Sequence, residues 1–239
     1  MTKQEFLNNF YLQMDKVASL ALPGYEPAEI AAMATEAQEL LVVTYYTGNN
    51  SSRTSFEETE KRIEDLGELV ATGILTPAPY NPLLNMPNGV FVTLPNTLIT
   101  SGPTDYSDVA WFTIYEEVLT NDKCNPRKYV VEINHSEYNI ARSDPYNKPS
   151  KSKVWRMRTE GRKHELITNG TYTISSYIFR YIKKPTPIDL TTNLTASVSQ
   201  LSDHIHRELV RKTVEIASKD IEAYNKMQAE QATNNTYRE

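Results

Sequence analysis

The chain has 239 residues and a formal net charge of -5 at pH 7, with 25 Lys and Arg against 30 Asp and Glu. This length is sufficient for a hydrophobic core, and the single cysteine, Cys124, excludes an intramolecular disulfide and a metal site built from cysteines. The acidic balance argues against a protein that grips nucleic acid, because binding to phosphates needs clustered Lys and Arg.

Two amphipathic helices are predicted at the start of the chain. The first is expected to end before Leu22-Pro23-Gly24, a sequence that stops helices. The second is expected to begin at Pro27, with Glu26 and Glu29 at its positively polarised end, and to run to Gly48. Each helix has one apolar stripe at three- and four-residue spacing: Phe6, Phe10, Met14 and Val17 in the first, and Ile30, Met33, Ala34, Ala37, Leu41 and Tyr45 in the second.

A third helix is predicted from the capping-box sequence Ser55-Phe56-Glu57-Glu58 to Gly73. Its outer face would carry an acidic cluster interleaved with Lys61 and Arg62. Two interpretations of this cluster are open: a solvated helix face and a charged surface between subunits. The apolar face would be Phe56, Ile63, Leu66, Leu69 and Val70, and the acidic cluster is Glu57, Glu58, Glu60, Glu64, Asp65 and Glu68.

Between residues 76 and 199, prolines and Asn-rich turns separate runs of β-branched and aromatic residues, which is typical of strands. Asn169-Gly170 predicts a type I′ turn that joins the last two strands as a hairpin. Residues 134–142 are predicted to form a short helical insertion, followed by a rigid loop at residues 144–149. The predicted strands are residues 89–94, 109–119, 128–133, 153–158, 164–167 and 171–183.

The one basic stretch, residues 148–162, is predicted to be the solvated face of a strand. A contact with DNA is the alternative, and we favour the solvated face because such charges more often lie on an exposed surface. The cations Lys151, Lys153, Arg156 and Arg158 are interleaved with the apolar Val154, Trp155 and Met157.

A long amphipathic helix is predicted after Ser202, whereas the tail at residues 229–239 has nothing to bury and is expected to fray or to order only on a neighbour. The stripe is Ile205, Leu209, Val210, Val214, Ala217, Ile221 and Tyr224, and the opposite face carries Arg211, Lys212, Glu215, Lys219 and Glu222.

These elements predict an α+β protein. Three N-terminal helices and the long C-terminal helix would cover one another's apolar stripes as a helical bundle, formed by residues 1–75 and 200–239. A β-rich insertion domain would occupy residues 76–199.

A search for catalytic or metal-binding residues supports none. His204 and His206 are two residues apart on a predicted helix, so their side chains point about 200° apart and cannot share a metal ion. His204 with Glu208 suits a surface ion pair better than a metal site, and His135 with Glu137 suits helix capping. With eight glycines in the chain, no Gly-rich phosphate loop is present. We therefore expect no enzyme, no cofactor and no metal.

Two further features bear on location and partners. The first 15 residues, Met1 to Asp15, lack the regions of a signal peptide, and no stretch approaches the roughly 20 apolar residues of a membrane span. We therefore expect neither secretion nor contact with a membrane. The 15 tyrosines suit an interface or a packed core, and both interpretations are open.

Several segments, in the same order along most of the chain, resemble the neck ring or adaptor proteins of crAss-like tailed bacteriophages. In the N-terminal part they are Leu22-Pro23-Gly24-Tyr25-Glu26, Thr35-Glu36-Ala37-Gln38-Glu39 and Ser55-Phe56-Glu57-Glu58-Thr59-Glu60-Lys61-Arg62. In the middle they are Val92-Thr93-Leu94-Pro95, Ile133-Asn134-His135-Ser136-Glu137-Tyr138, Asp144-Pro145-Tyr146-Asn147-Lys148-Pro149 and Val154-Trp155-Arg156-Met157. The C-terminal part contributes Tyr177 to Ile188 and Leu201 to Val210.

The resemblance implies a structural virion protein at the junction of neck and tail, assembled in the host cytoplasm. Its partners would be copies of itself in a closed, dodecameric ring, the portal protein, and other neck or tail ring proteins. The genomic DNA would pass through the lumen without specific binding, which suits an acidic subunit. A closed ring needs a heterologous interface, in which one face of a subunit meets a different face of its neighbour.

The rigid loop at residues 144–149 is predicted to contact a neighbouring subunit or ring. Its prolines, Pro145 and Pro149, restrict the backbone before docking, and Tyr146 is an aromatic anchor of the type enriched in interfaces. Tyr138 and Trp155 complete the candidate interface.

Two other classes of function are weighed against the ring protein. A phage enzyme such as a nuclease or peptidoglycan hydrolase would need convergent acids or a cluster around a histidine. Another head- or tail-associated protein, such as a fibre or a hub adaptor, would be dominated by strands. The long helix after Ser202 is the feature that disfavours this second class.

Overall fold

The computed structural model describes residues 1–17, 24–49, 53, 55–99, 106–159 and 162–236. Two compact units are present, the first formed by residues 1–69 and 185–239 and the second by residues 70–184. The first contains four of the helices and the second contains the sheet, which confirms the predicted α+β class. The helices are α1 Lys3–Val17, α2 Pro27–Thr47, α3 Glu60–Leu66, α4 Tyr138–Ser143 and α5 His206–Thr236.

The apolar stripes of α1, α2 and α5 form the core of the helical unit, as predicted. α5 packs against both α1 and α2. Two tyrosine hydroxyls add hydrogen bonds in this unit: that of Tyr25 donates to the carbonyl of Ala217, and that of Tyr45 donates to Glu208 Oε2 at 2.6 Å. The side chains of Val17 and Tyr224, and the predicted stop at Leu22-Pro23, lie outside the described residues. The buried stripe residues are Phe6, Phe10, Met14, Ile30, Met33, Ala34, Ala37, Leu41, Tyr45, Ile205, Leu209, Val210, Val214 and Ala217.

The predicted ends of α2 are confirmed. Pro27 occupies the first turn, and Glu26 and Glu29 form a reciprocal capping box across it. Gly48 ends the helix with φ 74°, in the left-handed region that glycine adopts without steric cost.

The third helix is shorter than predicted, and it begins and ends elsewhere. Ser55 and Glu58 make the expected contact, from the backbone N–H to the carboxylate at 2.6 Å, but Glu57 has φ 73° and interrupts the turn. Thr59 therefore caps α3 instead, and a single 3₁₀ turn, Gly67–Leu69, follows the helix. Ile63, predicted to be on the apolar face, is 44% exposed.

Residues 70–73, which were predicted to end the third helix, instead belong to the first strand, β1 Val70–Leu75. Its Gly73 lies against a core ring, where a Cβ would approach Phe179 Cε1 to 2.4 Å. Glycine is thus needed here for close packing and not as a helix stop. At the other end of the chain, α5 continues to Thr236 and is longer than expected, because the last turns contain no Gly or Pro that would end it.

An eight-stranded sheet makes up the second unit, in the order β1-β8-β4-β5-β6-β7-β2, with β3 paired to β4. Neighbours are antiparallel except β5 and β6, which are parallel and connected through α4. All the predicted strands are present, and β1 and β3 are additional. The strands after β1 are β2 Gly89–Thr93, β3 Asn96–Ile99, β4 Tyr106–Thr120, β5 Arg127–Glu132, β6 Lys153–Thr159, β7 Lys163–Ile167 and β8 Ile174–Lys183.

The hairpin predicted at Asn169-Gly170 is wrong. β7 pairs with β2 and β6, whereas β8 pairs with β1 and β4, so the two strands are not neighbours. Gly170 has the positive φ of 81° that its sequence suggested, but Asn169 does not have the positive φ that a type I′ turn also requires. The segment therefore leads from one part of the sheet to another.

Aromatic residues form the centre of the sheet's core. Tyr177, Phe179 and Tyr181 alternate along β8 and their rings stack in succession, with centroids 5.2 Å and 4.9 Å apart. Tyr172 joins the same cluster. The tyrosines of the chain thus divide between the two interpretations. Among the described residues, the buried ones are Tyr45, Tyr138, Tyr172, Tyr177 and Tyr181, and the exposed ones are Tyr11, Tyr80, Tyr115, Tyr129 and Tyr146.

Candidate intersubunit interface

The histidines make structural contacts, and their partners differ from those that the sequence suggested. His204 Nε2 lies 2.5 Å from Asp65 Oδ1, so its partner is not Glu208. His135 does not cap α4, because its Nε2 lies 2.5 Å from the carbonyl oxygen of Arg158. His206 is buried beside the N-terminal amine, 3.1 Å away, and burial lowers the pKa of His206. The described residues contain no group of three or more His, Cys, Asp or Glu that could hold a metal ion.

The loop at residues 144–149 is held in one conformation by its own polar groups. The carboxylate of Asp144 accepts from the Tyr146 backbone N–H at 2.9 Å and from Asn147 Nδ2 at 2.6 Å. The backbone N–H of Lys148 donates to the Asp144 carbonyl at 3.2 Å, which closes a turn. The backbone of the loop is therefore ordered before any partner binds.

A buried tryptophan fixes this loop to the sheet. Trp155 on β6 is 3% exposed, and its Nε1 donates to the carbonyl of Asn147 at 3.0 Å. Its ring packs edge to face against Tyr138 of α4, with centroids 6.0 Å apart. These two rings lie in a small apolar cluster that also contains Ile133, Met157 and Ile167. The helical insertion between β5 and β6 thus provides the support on which the loop rests.

All five residues predicted for the interface line a single groove of about 610 Å³. Tyr138 and Trp155 are buried, so they form its floor, whereas Tyr146 is 91% exposed at its rim. Pro145 and Pro149 flank the tyrosine. The structure brings the predicted residues together in two different settings, a packed aromatic floor and a projecting aromatic side chain.

Other exposed apolar residues of the same unit were not predicted from the sequence. Leu83 and Leu84 are 91% and 72% exposed on the connection between β1 and β2, and Ile140 of α4 is 75% exposed. The turn that carries the leucines is ordered by Asn81, whose side chain accepts from the Leu83 backbone N–H at 3.0 Å. The signal in the sequence was Pro82-Leu83-Leu84, two adjacent leucines inside a proline-rich loop, which a periodicity argument does not detect.

The basic stretch is not simply a solvated face, because Arg156 is 3% exposed. Its guanidinium lies 3.0 Å from Glu116 Oε1 and 2.7 Å from Glu132 Oε2, and its Nη1 lies 3.3 Å from His164 Nε2. Tyr177 completes the cluster, with its hydroxyl 2.6 Å from the Glu116 carboxylate and 3.0 Å from His164 Nδ1. β6 is covered on both faces over most of its length, so an alternating pattern does not identify a solvent-facing side there. We call these five residues the Arg156 cluster.

The hydrogen bonds of the Arg156 cluster determine its protonation. An arginine only donates, so His164 Nε2 accepts and the ring's proton lies on Nδ1, which donates to Tyr177. Burial lowers the pKa of His164 to about 3, in agreement with this neutral ring. Burial also raises the pKa of Glu116, although Arg156 opposes that shift. The side chains of Arg156, Glu116, His164 and Tyr177 therefore contact one another within the sheet, and we expect the cluster to stabilise it.

Among the described residues, no helix is both long and apolar enough to cross a membrane.

The comparisons with known proteins agree with the features described above. Residues 1–228 match the family model described as phage tail ring protein 3/4. Ring protein 4/5 of Bacteroides phage crAss001 is 31% identical over 238 residues, covering 91% of this chain and 92% of the relative. Ring protein 3 of the same phage is 28% identical over 232 residues, covering 91% of this chain and 95% of the relative.

These matches confirm the resemblance to ring proteins of crAss-like phages and show that the enzyme alternative is wrong. A tail ring protein is a structural component of the virion that assembles into an oligomeric ring with other tail proteins. This chain belongs to the phage tail ring protein 3/4 family of crAss-like phages.

Proposed function

We propose that this tail ring protein forms a closed, dodecameric ring at the neck of the particle, linking the portal to the tail. The observation that carries this proposal is the loop at residues 144–149. An exposed aromatic residue on a backbone already fixed by internal hydrogen bonds loses little entropy on docking, which is the property expected of a contact between rings or subunits.

The lumen of the ring would form part of the channel for the genome. A formal net charge of -5 supports passage of DNA and not its retention, since few cations are available to displace counterions from the phosphates. The one cation of the Arg156 cluster also supports this interpretation. Arg156 is buried and neutralised by two carboxylates, so its charge contributes little to the surface.

The experiment is the replacement Tyr146→Ala in the phage and in the purified protein. Because Tyr146 is 91% exposed, the variant is expected to keep the wild-type fold and melting temperature, within about 0.5 kcal/mol in the free energy of unfolding. It should nevertheless fail to join the neck. Filled heads that lack tails or leak DNA should accumulate, as counted by electron microscopy.

Tyr129→Ala is the matched control, because Tyr129 is 54% exposed on β5 and does not line the groove. It should give normal particles. Normal particles from Tyr146→Ala would mean that the loop is a solvent-exposed connector. A markedly lower melting temperature for that variant would mean that Tyr146 belongs to the core.

A further inference from the structure

The groove beneath Tyr146 is cationic. Arg142, Lys148 and Lys151 line it, and all three are exposed. None of the three has a salt-bridge partner among the described residues, and no carboxylate is in the groove's lining. The nearby Asp144 carboxylate lies in the loop, where it accepts from the Tyr146 backbone N–H and the Asn147 amide. The lining of the groove itself therefore carries three cations and no carboxylate around an aromatic floor.

A surface of opposite charge lies on α3. Glu60 and Glu64 are four residues apart and share the outer face of this helix, and Glu57 precedes it on the same exposed segment. None of these three glutamates has a salt-bridge partner among the described residues, although Arg62 and Asp65 pair on the buried side of the same helix. The exposed Ile63 is on the same helix, and within α3 itself Lys61 is the one exposed cation. This segment therefore combines uncompensated negative charge with an exposed apolar side chain.

The two surfaces suit a contact between copies of this chain. They are different patches, one in the helical unit and one in the sheet unit, as the heterologous interface of a closed ring requires. They match in charge, three cations against three carboxylates, and in apolar content, since Ile63 faces outward on one and Tyr146 on the other. Copies of one acidic chain repel each other unless such local complementarity offsets their net charge.

We propose that the groove formed by Arg142, Lys148, Lys151 and Tyr146 binds the acidic face of α3, at Glu57, Glu60 and Glu64, from the neighbouring copy in the ring. This assigns a partner to the loop contact of the proposed function and rests on it. Of the two interpretations of the acidic cluster, this proposal adopts the charged surface between subunits.

A charge-swap series tests the pairing in assembled particles. The groove reversal Arg142→Glu, Lys148→Glu, Lys151→Glu and the helix reversal Glu57→Lys, Glu60→Lys, Glu64→Lys are each expected to lower the yield of tailed particles about tenfold or more. Combining both sets in one chain restores the complementarity with its sign inverted, so the yield should recover to within about threefold of wild type. The control Lys123→Glu, Lys163→Glu, Arg180→Glu reverses three exposed cations outside the groove and should leave the yield unchanged.

Carbodiimide treatment of wild-type particles is a second measurement that needs no variant. It joins amines to carboxylates in contact, so peptides linking Lys148 or Lys151 to Glu57, Glu60 or Glu64 are expected. Particles assembled from a mixture of isotopically light and heavy chains should give light–heavy pairs of these peptides, because the contact is between copies. If other cross-links between copies are recovered and these peptides are not, the proposal is overturned. This result does not depend on whether the reversed variants fold, because it uses wild-type particles.

The outcomes separate this proposal from the proposed function. If the combined variant stays defective while Tyr146→Ala also blocks neck assembly, the groove binds another ring or the portal, and the pairing with α3 is wrong. If the purified wild-type protein binds a fluorescent oligonucleotide and the groove reversal loses that binding, the groove is a DNA contact and the pairing with α3 is wrong. If neither reversal changes the yield, both surfaces are solvated faces and the proposal fails.

Discussion

Replacing Leu209 by Asp is expected to unfold the helical unit. Leu209 is fully buried on α5, the helix against which both α1 and α2 pack. Truncating such a leucine costs about 2–5 kcal/mol, and an unpaired carboxylate at the same place adds a desolvation penalty of several kcal/mol. The sum is comparable with the whole stability of many domains, about 5–15 kcal/mol. Circular dichroism during thermal melting should show the loss of helix at a much lower temperature than in the wild type.

Arg211→Asp is the matched control, since Arg211 is exposed two residues further along the same helix. It introduces the same side chain at the surface and should change the free energy of unfolding by no more than about 0.5 kcal/mol. Wild-type helicity and melting for Leu209→Asp would show that the stripe of α5 is covered by a partner and not by α1 and α2.

Replacing Arg156 by Met is expected to destabilise the sheet unit by about 3–5 kcal/mol, because it leaves the buried carboxylate of Glu116 without its cation. Arg158→Met is the control on the same strand: Arg158 is 59% exposed and pairs with Glu132 at 3.3 Å, so its loss should cost about 0–1 kcal/mol. Urea unfolding of both variants measures the difference. Equal costs for the two would contradict the role given to the Arg156 cluster.

The cost of Arg156→Met should shrink as the pH falls from neutrality. Burial raises the pKa of Glu116 in the folded protein, so the folded state binds a proton at this carboxylate more tightly than the unfolded chain does. Protonation of Glu116 therefore stabilises the folded protein at low pH. This stabilisation is lost as the pH rises through the pKa of the folded state. Arg156 opposes this shift, so its removal raises the pKa of Glu116 further. It also removes a charge that holds the pKa of His164 low. Adding Glu116→Gln to Arg156→Met should recover part of the stability at neutral pH and flatten this dependence.

The helices were predictable from the sequence because their signals are local. The stripes of α1, α2 and α5 repeat at three- and four-residue spacing, and the residues at Glu26, Pro27 and Gly48 mark both ends of α2. The switch from helix to strand at Val70 was not predictable in this way. The apolar Leu66, Leu69 and Val70 fit a helical stripe, and only pairing with β8, far along the chain, determines the strand.

Long-range pairing also explains the wrong hairpin at Asn169-Gly170. A turn signal reports the local backbone, whereas β8 finds its neighbours β1 and β4 from distant parts of the sequence. The Arg156 cluster has the same origin, since Glu116 and Tyr177 come from β4 and β8, and no spacing within β6 indicates them. The loop at residues 144–149 was predictable because its own prolines identify it, without any distant residue. Its hydrogen bond from Trp155 was not, because that contact requires the parallel pairing of β5 and β6 around α4.

Mass spectrometry under non-denaturing conditions, applied to the purified protein with and without the purified portal, tests most directly whether this chain is the ring that joins portal to tail. We expect a complex whose mass exceeds that of the portal alone by one closed, dodecameric ring of this subunit. Tyr146→Ala should remove or greatly weaken that complex, whereas Tyr129→Ala should not. Wild-type protein and portal that remain separate species at every concentration would contradict the proposed position in the neck.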